Sequence, residues 1–424
     1  MVTYESLPVG RSTLAFCPMP QVDSVSVGLW FRAGSLFEPP GLYGGAHFLE
    51  HLLFKGTRRR NARQISREIE SRGGDLNAFT AEEMTCYYAR LDADHLELAL
   101  DVLSDMLWHS TLPAAEVERE RGVILEEIRM YDDQPPVLVM EKLNQALWPG
   151  HGLGRPVTGT PASVAAMRRA DLLGFWRRQY TPETLVVSVA GGVDRQRVAA
   201  LMLRRFNPRR RPARRQLPPC RPRLRRAITL APVPKPVQQC HLALGALTYP
   251  KADPRRYALK MLSVILGENM SSRLFQTVRE QHGLAYAINT NLAQFRSTGA
   301  FYVQAGVETA QLGRALTLVA RELQKTAARL VGRNELRQAK DYLIGQTKLH
   351  LESSTSRMMW MGESLVGLDY LLQPQAMLRD LEKVTAAEVR AVAQELFRPG
   401  RMALSVVGPE VDKKLLAEVA RVFA

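Results

Sequence analysis

Two histidines and a glutamate, residue types that bind metals and move protons, lie close together in the apolar segment AHFLEHLLFKG. His47 and His51 are four residues apart, which places both rings on one face of a predicted helix, one turn apart. Two imidazole nitrogens in this arrangement can reach one tetrahedral zinc ion at about 2.0–2.1 Å. Glu50 lies between them in angle, where its carboxylate can meet a water molecule at the metal. The order H-x-x-E-H is the signature of inverted zinc-peptidase motifs.

The alternative interpretation of this segment is a pair of partly buried helix histidines beside a surface glutamate. A five-residue pattern alone does not separate the two interpretations. The neighbouring residues favour the metal site, because Phe48, Leu52 and Phe54 make the segment largely apolar. Burial of two imidazoles and a carboxylate there would cost free energy without a metal or other partners.

A catalytic zinc needs a third protein ligand and one open position, and the candidates lie in a long acidic segment that Pro113 opens. The segment predicts a helix to about Tyr131. Glu120 and Glu127 are seven residues apart and share a helix face, whereas Glu126 points about 100° away from Glu127. A solvated acidic helix would show the same charge pattern. The residues by themselves therefore leave the third ligand open.

Internal similarity indicates that one domain occurs twice in the 424 residues. YYARLDADHLELAL from Tyr87 resembles FYVQAGVETAQLGRAL from Phe301, and QYTPETLVVSVAGG from Gln179 resembles ELFRPGRMALSVVG from Glu395. In both pairs the second segment follows the first by nearly the same number of residues, which predicts a duplicated domain of about 200 residues. We expect an N-terminal metal-binding domain over 1–205, an Arg/Pro-rich linker over 206–230 and a homologous C-terminal domain over 231–424.

Each copy mixes strand and helix patterns. Val22–Phe31 and Leu185–Ala190 alternate as half-buried strands do, and Leu96–Leu107 carries apolar residues at helical spacing. The sequence therefore predicts an α+β fold with two homologous halves, each a mostly antiparallel sheet with helices.

The second copy lacks the metal motif. When Tyr43 is aligned with Tyr257, the residues opposite the two histidines and the glutamate are Met261, Val264 and Ile265. None of these side chains binds a metal ion through nitrogen or a carboxylate. We expect the C-terminal half to have kept the fold without the chemistry.

The formal net charge of +15 is concentrated in one segment. Residues 204–226 contain 11 arginines and no acidic residue, so the rest of the chain carries 15 − 11 = +4.

The four cysteines form no C-x-x-C pair, which favours reduced thiols in a cytoplasmic protein. The sequence shows no signal-peptide pattern and no apolar run of the ~18–20 residues that a membrane span needs. We therefore expect no membrane association.

HFLEH followed by ERERGVILEEI resembles the pitrilysin-type (M16) zinc metallopeptidases, especially the bacterial members that resemble mitochondrial processing peptidase. The resemblance covers nearly the whole chain. It implies that His47, His51 and Glu127 bind one Zn²⁺ per chain and that Glu50 is the catalytic base. It also implies that Glu120 orients the site as an outer carboxylate, and it gives Glu126 no role.

The resemblance extends to substrate contacts in both halves. SSRLFQTVREQHGLAYAINT is similar to a family block in which an arginine and a tyrosine reach the substrate, here Arg279 and Tyr286. Taken singly, these would be a surface arginine and a core tyrosine. GGDLNAFTAEE is similar to a family strand edge beside the metal, where Asn77, Ala78 and Phe79 would contact an extended peptide.

The predicted function is a zinc-dependent endopeptidase that hydrolyses unfolded peptides inside a clamshell-like chamber between the two halves. Presence of both the metal motif and the Arg/Tyr pair favours a homodimer, with a heterodimer containing an inactive homologue as the other arrangement. One alternative function is a non-catalytic partner subunit, against which the complete set of metal and base residues argues. The other is nucleic-acid binding through the Arg-rich segment, which contains one aromatic residue, Phe206, and therefore offers little base stacking.

Overall fold

The computed structural model describes residues 4–206, 220, 225–409, 414, 416, 417 and 421. The linker predicted over 206–230 lies mostly outside the described residues, so the boundaries at 205 and 231 stay predictions. Among the described helices, none is both long and apolar enough to cross a membrane.

The strands of the described chain are β1 Glu5–Val9, β2 Ser12–Pro18, β3 Ser24–Phe31, β4 Asp75–Thr80, β5 Thr85–Asp92, β6 Leu185–Gly191, β7 Thr229–Pro234, β8 Gln239–Thr248, β9 Ala285–Gln294, β10 Gly299–Glu308 and β11 Met402–Gly408.

The α-helices of the described chain are α1 Gly45–Leu53, α2 Ala62–Glu70, α3 Leu96–His109, α4 Ala114–Asp132, α5 Pro135–Leu147, α6 Pro161–Ala166, α7 Arg169–Gln179, α8 Arg195–Arg205, α9 Arg256–Gly267, α10 Leu312–Ala328, α11 Arg333–His350, α12 Ser354–Leu368, α13 Pro374–Lys383 and α14 Ala386–Leu396. A π-helical segment spans Phe275–Gln281.

The chain forms two compact units, and each unit is assembled from three stretches of sequence. Unit 1 consists of Met1–Arg129, Pro156–Pro218 and Lys348–Gln373. Unit 2 consists of Met130–Arg155, Pro219–Thr347 and Pro374–Ala424. The compact units and the two sequence repeats are therefore different divisions of the chain.

The two units contain sheets of the same design. In unit 1 the strand order is β1-β2-β6-β3-β5-β4, and in unit 2 it is β7-β11-β8-β10-β9. In each sheet one pair is parallel, β2 with β6 and β7 with β11, and the remaining pairs are antiparallel. β5 and β10, which carry the similar sequences around Tyr87 and Phe301, occupy equivalent places. The predicted α+β class with two homologous, mostly antiparallel halves is confirmed.

One face of each sheet is covered by a helix that comes from the other sequence repeat. Helix α12 belongs to unit 1 and packs on β3, β6 and β2, although it lies in the second half of the sequence. Helix α5 belongs to unit 2 and packs on β8, β11 and β7, although it lies in the first half. The two repeats have exchanged these helices.

The exchange overturns one detail of the sequence prediction. The segment Val22–Phe31 does form a strand, β3, but the strand is not half-buried, since every residue from Val25 to Phe31 is buried. The same holds for β6, where only Val186 is partly exposed. The cause is α12, whose Met358 and Met361 form a second apolar layer with Trp30 on the face that would otherwise meet solvent.

Small residues allow the exchanged helices to lie close to the sheets. Gly28 is opposite Tyr88 in β5, and Gly245 is opposite Tyr302 in β10, so the two glycines hold the same place in the two sheets. A Cβ atom at Gly28 would lie 2.3 Å from the Met358 sulfur of α12. A Cβ atom at Gly245 would lie 2.8 Å from Leu147 of α5.

We predict that neither sequence half folds alone. A fragment of residues 1–205 lacks α12, so the face carrying Trp30 and Cys86 would be exposed, and burial of such side chains stabilises a protein by about 1.5–3 kcal/mol each. The fragment should aggregate or bind a hydrophobic dye, whereas co-expression with residues 225–424 should give a soluble one-to-one complex of the two fragments. The measurement is gel filtration with thermal unfolding. A monomeric 1–205 fragment that unfolds cooperatively at the temperature of the intact chain would contradict the prediction.

Candidate metal centre

Helix α1 begins at a backbone turn that only a glycine tolerates well. Gly44 has φ 91°, and a Cβ atom there would lie 2.4 Å from the Thr158 carbonyl oxygen. Gly44 offers no side chain to cap the helix, and the buried Glu38 carboxylate does so instead. Its two oxygens accept hydrogen bonds from the backbone N–H groups of Gly44 and Ala46 at 2.9 and 2.8 Å. Glu38 therefore fixes the start of the helix and complements its dipole.

The structure brings His47, His51 and Glu127 together. Their nearest ligand atoms all lie within 4.8 Å of one another. The Oε2 atom of Glu127 is 3.6 Å from Nε2 of His47 and 3.8 Å from Nε2 of His51. The two imidazole rings are 4.7 Å apart between centroids, as expected for positions one helical turn apart.

These three residues fit a tetrahedral zinc ion. Ligands about 2.0–2.1 Å from zinc at tetrahedral angles are about 3.3–3.4 Å apart, and the two nitrogen–oxygen distances exceed that by a few tenths of an ångström. Two imidazoles and one carboxylate are also a donor set that catalytic zinc uses, with the fourth position left for water or substrate.

His47 is neutral at ordinary pH. Burial, and next the adjacent His51 ring, lower the pKa of His47 to about 4, although the Glu127 carboxylate opposes the shift. A neutral imidazole keeps the lone pair that a metal needs. The Nδ1 atom of His47 is buried and has no hydrogen-bond partner within the described part of the chain.

His51 is oriented by the carboxylate of Glu120. The Nδ1 atom of His51 lies 3.1 Å from Oε2 of Glu120, whose side chain is 3% exposed. A proton on Nδ1 donates to this carboxylate, which leaves the lone pair on Nε2, the atom that faces Glu127. The other oxygen of Glu120 lies 2.8 Å from the ammonium nitrogen of Lys55.

Glu50 stands beside the cluster and contacts strand β4. The Thr80 hydroxyl donates a hydrogen bond of 2.5 Å to Oε2 of Glu50. Burial raises the pKa of Glu50, while the Thr80 hydrogen bond and His51 act against the rise and Glu127 adds to it. A carboxyl group whose pKa is moved toward neutrality is suited to accept and return a proton.

Helix α4 separates its glutamates as the helical period requires. Glu120 and Glu127 face the histidines, whereas the Glu126 side chain is 71% exposed and pairs with Arg129. Sequence reasoning alone could not choose among these carboxylates, because the choice depends on where α4 lies relative to α1.

The predicted substrate-contacting residues fall in both units. Asn77, Ala78 and Phe79 lie in β4, the outermost strand of the unit 1 sheet, with Asn77 exposed and the other two half-buried. In unit 2, Tyr286 is 82% exposed, and the Arg279 guanidinium lies 5.1 Å from the centre of its ring. Arg279 and Tyr286 are thus neighbours, and Tyr286 is not the core tyrosine that its residue type would suggest.

Three residues of the site were missed by the sequence analysis. Lys55 is four residues after His51, a spacing that could have indicated it, and Thr80 directly follows the predicted Asn77–Phe79 segment. Glu38 gave no local signal, because it caps α1 from outside the helix.

The equivalent helix of unit 2 has no such centre. Met261, Val264 and Ile265 of α9, the counterparts of the two histidines and Glu50, are all buried in the apolar core of that unit.

Known protein families match most of the chain. Residues 15–161 match the family model described as insulinase, peptidase family M16, and residues 166–343 match the peptidase M16 inactive domain. An uncharacterised zinc protease of Mycobacterium tuberculosis is 39% identical over 95% of this chain and 92% of its own length. One from Bacillus subtilis is 34% identical over 92% of this chain and 94% of its own.

Solved structures share the fold. A protease from Helicobacter pylori superposes with a TM-score of 0.90 at 22% identity, over 96% of this chain and 100% of that one. A Pseudomonas fluorescens structure, described as a peptidase M16 inactive domain, gives 0.87 at 21% identity, over 96% and 99%.

Fold and site together define a two-repeat α+β protein whose first unit holds a cluster of two histidines and one carboxylate. The chain belongs to peptidase family M16.

Proposed function

We propose that the protein is a zinc-dependent endopeptidase that cleaves unfolded peptides within an enclosed chamber. The observation that carries the proposal is the convergence of His47, His51 and Glu127, with the Glu50 carboxylate beside them, in a chain whose relatives are named zinc proteases. His47, His51 and Glu127 would hold one Zn²⁺ per chain.

Bound zinc would supply Lewis acidity toward the scissile carbonyl and would make water more acidic. Glu50 takes a proton from the attacking water at its carboxylate and passes it to the leaving amine nitrogen. The Thr80 hydroxyl holds Oε2 of Glu50, so the other oxygen is the one available for that transfer. Glu120 keeps the His51 ring in the orientation and tautomer that ligation needs.

The substrate is proposed to add to the sheet of unit 1 as an extended strand. Within the described chain β4 pairs with β5 on one side and is the last strand of its sheet, so its other edge can bind a peptide backbone with little regard to sequence. Asn77, Ala78 and Phe79 would contact the peptide there. Arg279 and Tyr286 would contact it from unit 2, and the large exposure of Tyr286 supports that role.

The oligomeric state and the cellular location of the protein are also proposed. A homodimer in the cytoplasm is our prediction, with a heterodimer containing an inactive homologue as the alternative.

Metal removal gives the direct test. The purified protein should contain about one zinc per chain and should cleave a quenched unstructured peptide. A chelator should abolish cleavage, and added Zn²⁺ should restore it. A folded protein containing the same peptide sequence is the matched control, and it should stay intact if a chamber restricts access. Zinc binding without cleavage of any unstructured peptide would indicate a non-catalytic subunit, and absence of zinc binding would reject the proposal.

A further inference from the structure

The two carboxylate oxygens of Glu120 contact two different side chains, the imidazole of His51 and the ammonium of Lys55. One oxygen faces Nδ1 of His51 at 3.1 Å, and the other faces the Lys55 ammonium at 2.8 Å. The carboxylate is nearly inaccessible, with its side chain 3% exposed, whereas the Lys55 side chain is 29% exposed. The contacts therefore form a line from solvent through Lys55 and Glu120 to His51.

The backbone at Lys55 is fixed by the turn that follows α1. The Lys55 N–H donates to the Leu52 carbonyl at 3.1 Å, and Gly56 has φ 136°, which few other residues adopt. The Gly56 carbonyl accepts the N–H of Thr111 at 3.1 Å, three residues before α4 begins. The backbone at Lys55 is thus fixed between α1, which carries the histidines, and the residues that directly precede α4, which carries Glu120.

A buried carboxylate needs a compensating charge. Without the ammonium, the oxygen of the buried Glu120 carboxylate that faces Lys55 would lose this partner, while the other oxygen would still face His51. Its side chain would then be poorly fixed, and the ring that it orients would lose its support. Within the described part of the chain, Lys55 forms an ion pair with Glu120, and through this carboxylate it can act on the metal cluster.

We infer that Lys55 is a positioning residue of the metal centre, which fixes Glu120 and thereby the ring of His51. The inference rests on the proposed zinc site. A different role for the same ion pair would be to tie the turn after α1 to α4 without effect on the metal, and the two roles predict different measurements.

The test compares Lys55→Met, Glu120→Gln and the double variant with the parent protein. Zinc affinity is measured by competition with a coloured chelator, and the ligand field is measured from the visible absorption of the Co²⁺ form. Lys55→Met should weaken zinc binding about 10-fold, the lower end of the range for outer partners of a metal ligand, and should alter the Co²⁺ spectrum. Arg58→Met, an exposed cation in the same turn, is the matched control and should change neither.

The double variant separates the two roles. If Lys55 acts through Glu120, adding Lys55→Met to Glu120→Gln should weaken zinc binding no further, because the effect has already been lost. Fully additive effects, or parent-like affinity and Co²⁺ spectrum in Lys55→Met, would overturn the inference. Should Lys55→Met not fold, Lys55→Gln provides the same comparison. A parent protein that binds no zinc would instead reject the proposed function.

Discussion

Glu50→Gln is expected to lower kcat by at least ~10²-fold while zinc content and the thermal unfolding midpoint remain those of the parent. The amide has nearly the same shape as the carboxylate and its oxygen can still accept the Thr80 hydroxyl, so the contact with β4 is kept. The amide cannot take the proton of the attacking water. The measurement is steady-state cleavage of an unstructured peptide, with metal analysis on the same sample.

Glu126→Gln is the control for this experiment, since it makes the same chemical change on an exposed side chain paired with Arg129. Its kcat should match that of the parent. If Glu50→Gln retained near-normal turnover, the proton would have to move through another group, and the assignment of Glu50 as the base would be wrong.

The second large effect is expected for Glu127→Gln, which should reduce zinc affinity by more than the roughly 10–100-fold typical of an outer partner. The Oε2 atom of Glu127 faces both histidine Nε2 atoms, and a neutral amide is a much poorer ligand than a carboxylate. The neighbouring Glu126→Gln should leave zinc affinity unchanged, because its side chain points to solvent. Chelator competition on the two variants measures the difference.

Glu126 and Glu127 are adjacent and identical in type, so a difference between the two variants reports which side chain faces the metal cluster. Loss of affinity of the same size in both variants would show that α4 presents a different face to α1. A loss confined to Glu126→Gln would reverse the assignment of the third ligand.

The sequence predicts those features of the site that depend on spacing within a single helix. Four-residue spacing determines that His47 and His51 share one face of α1, and seven-residue spacing determines that Glu120 and Glu127 share one face of α4. Which of the two carboxylates would meet both ring nitrogens could not be read from either helix. Glu127 could be assigned that role only through the resemblance of the chain to a family.

The contacts that support the site depend on segments far apart in sequence. Thr80 reaches Glu50 across 30 residues, and Glu120 reaches His51 across 69. Glu38 caps α1 from the segment before the helix, directly after a 3-10 turn at Ser35–Phe37. Residue type and spacing do not report such contacts, because many side chains of the same type lie on the surface with no partner of this kind.

By itself, the sequence determined the duplication, the α+β class and the positions of the strands and helices around the metal motif, because these follow from local periodicity and from the similarity of the two repeats. The tertiary structure decided how deeply β3 and β6 are buried. The Ser26 and Ser354 hydroxyls are 2.9 Å apart although 328 residues separate them, and through α12 the second repeat covers the sheet of the first. Strand alternation reports one apolar face, but whether a helix covers the other face depends on a segment that the strand's own sequence does not specify.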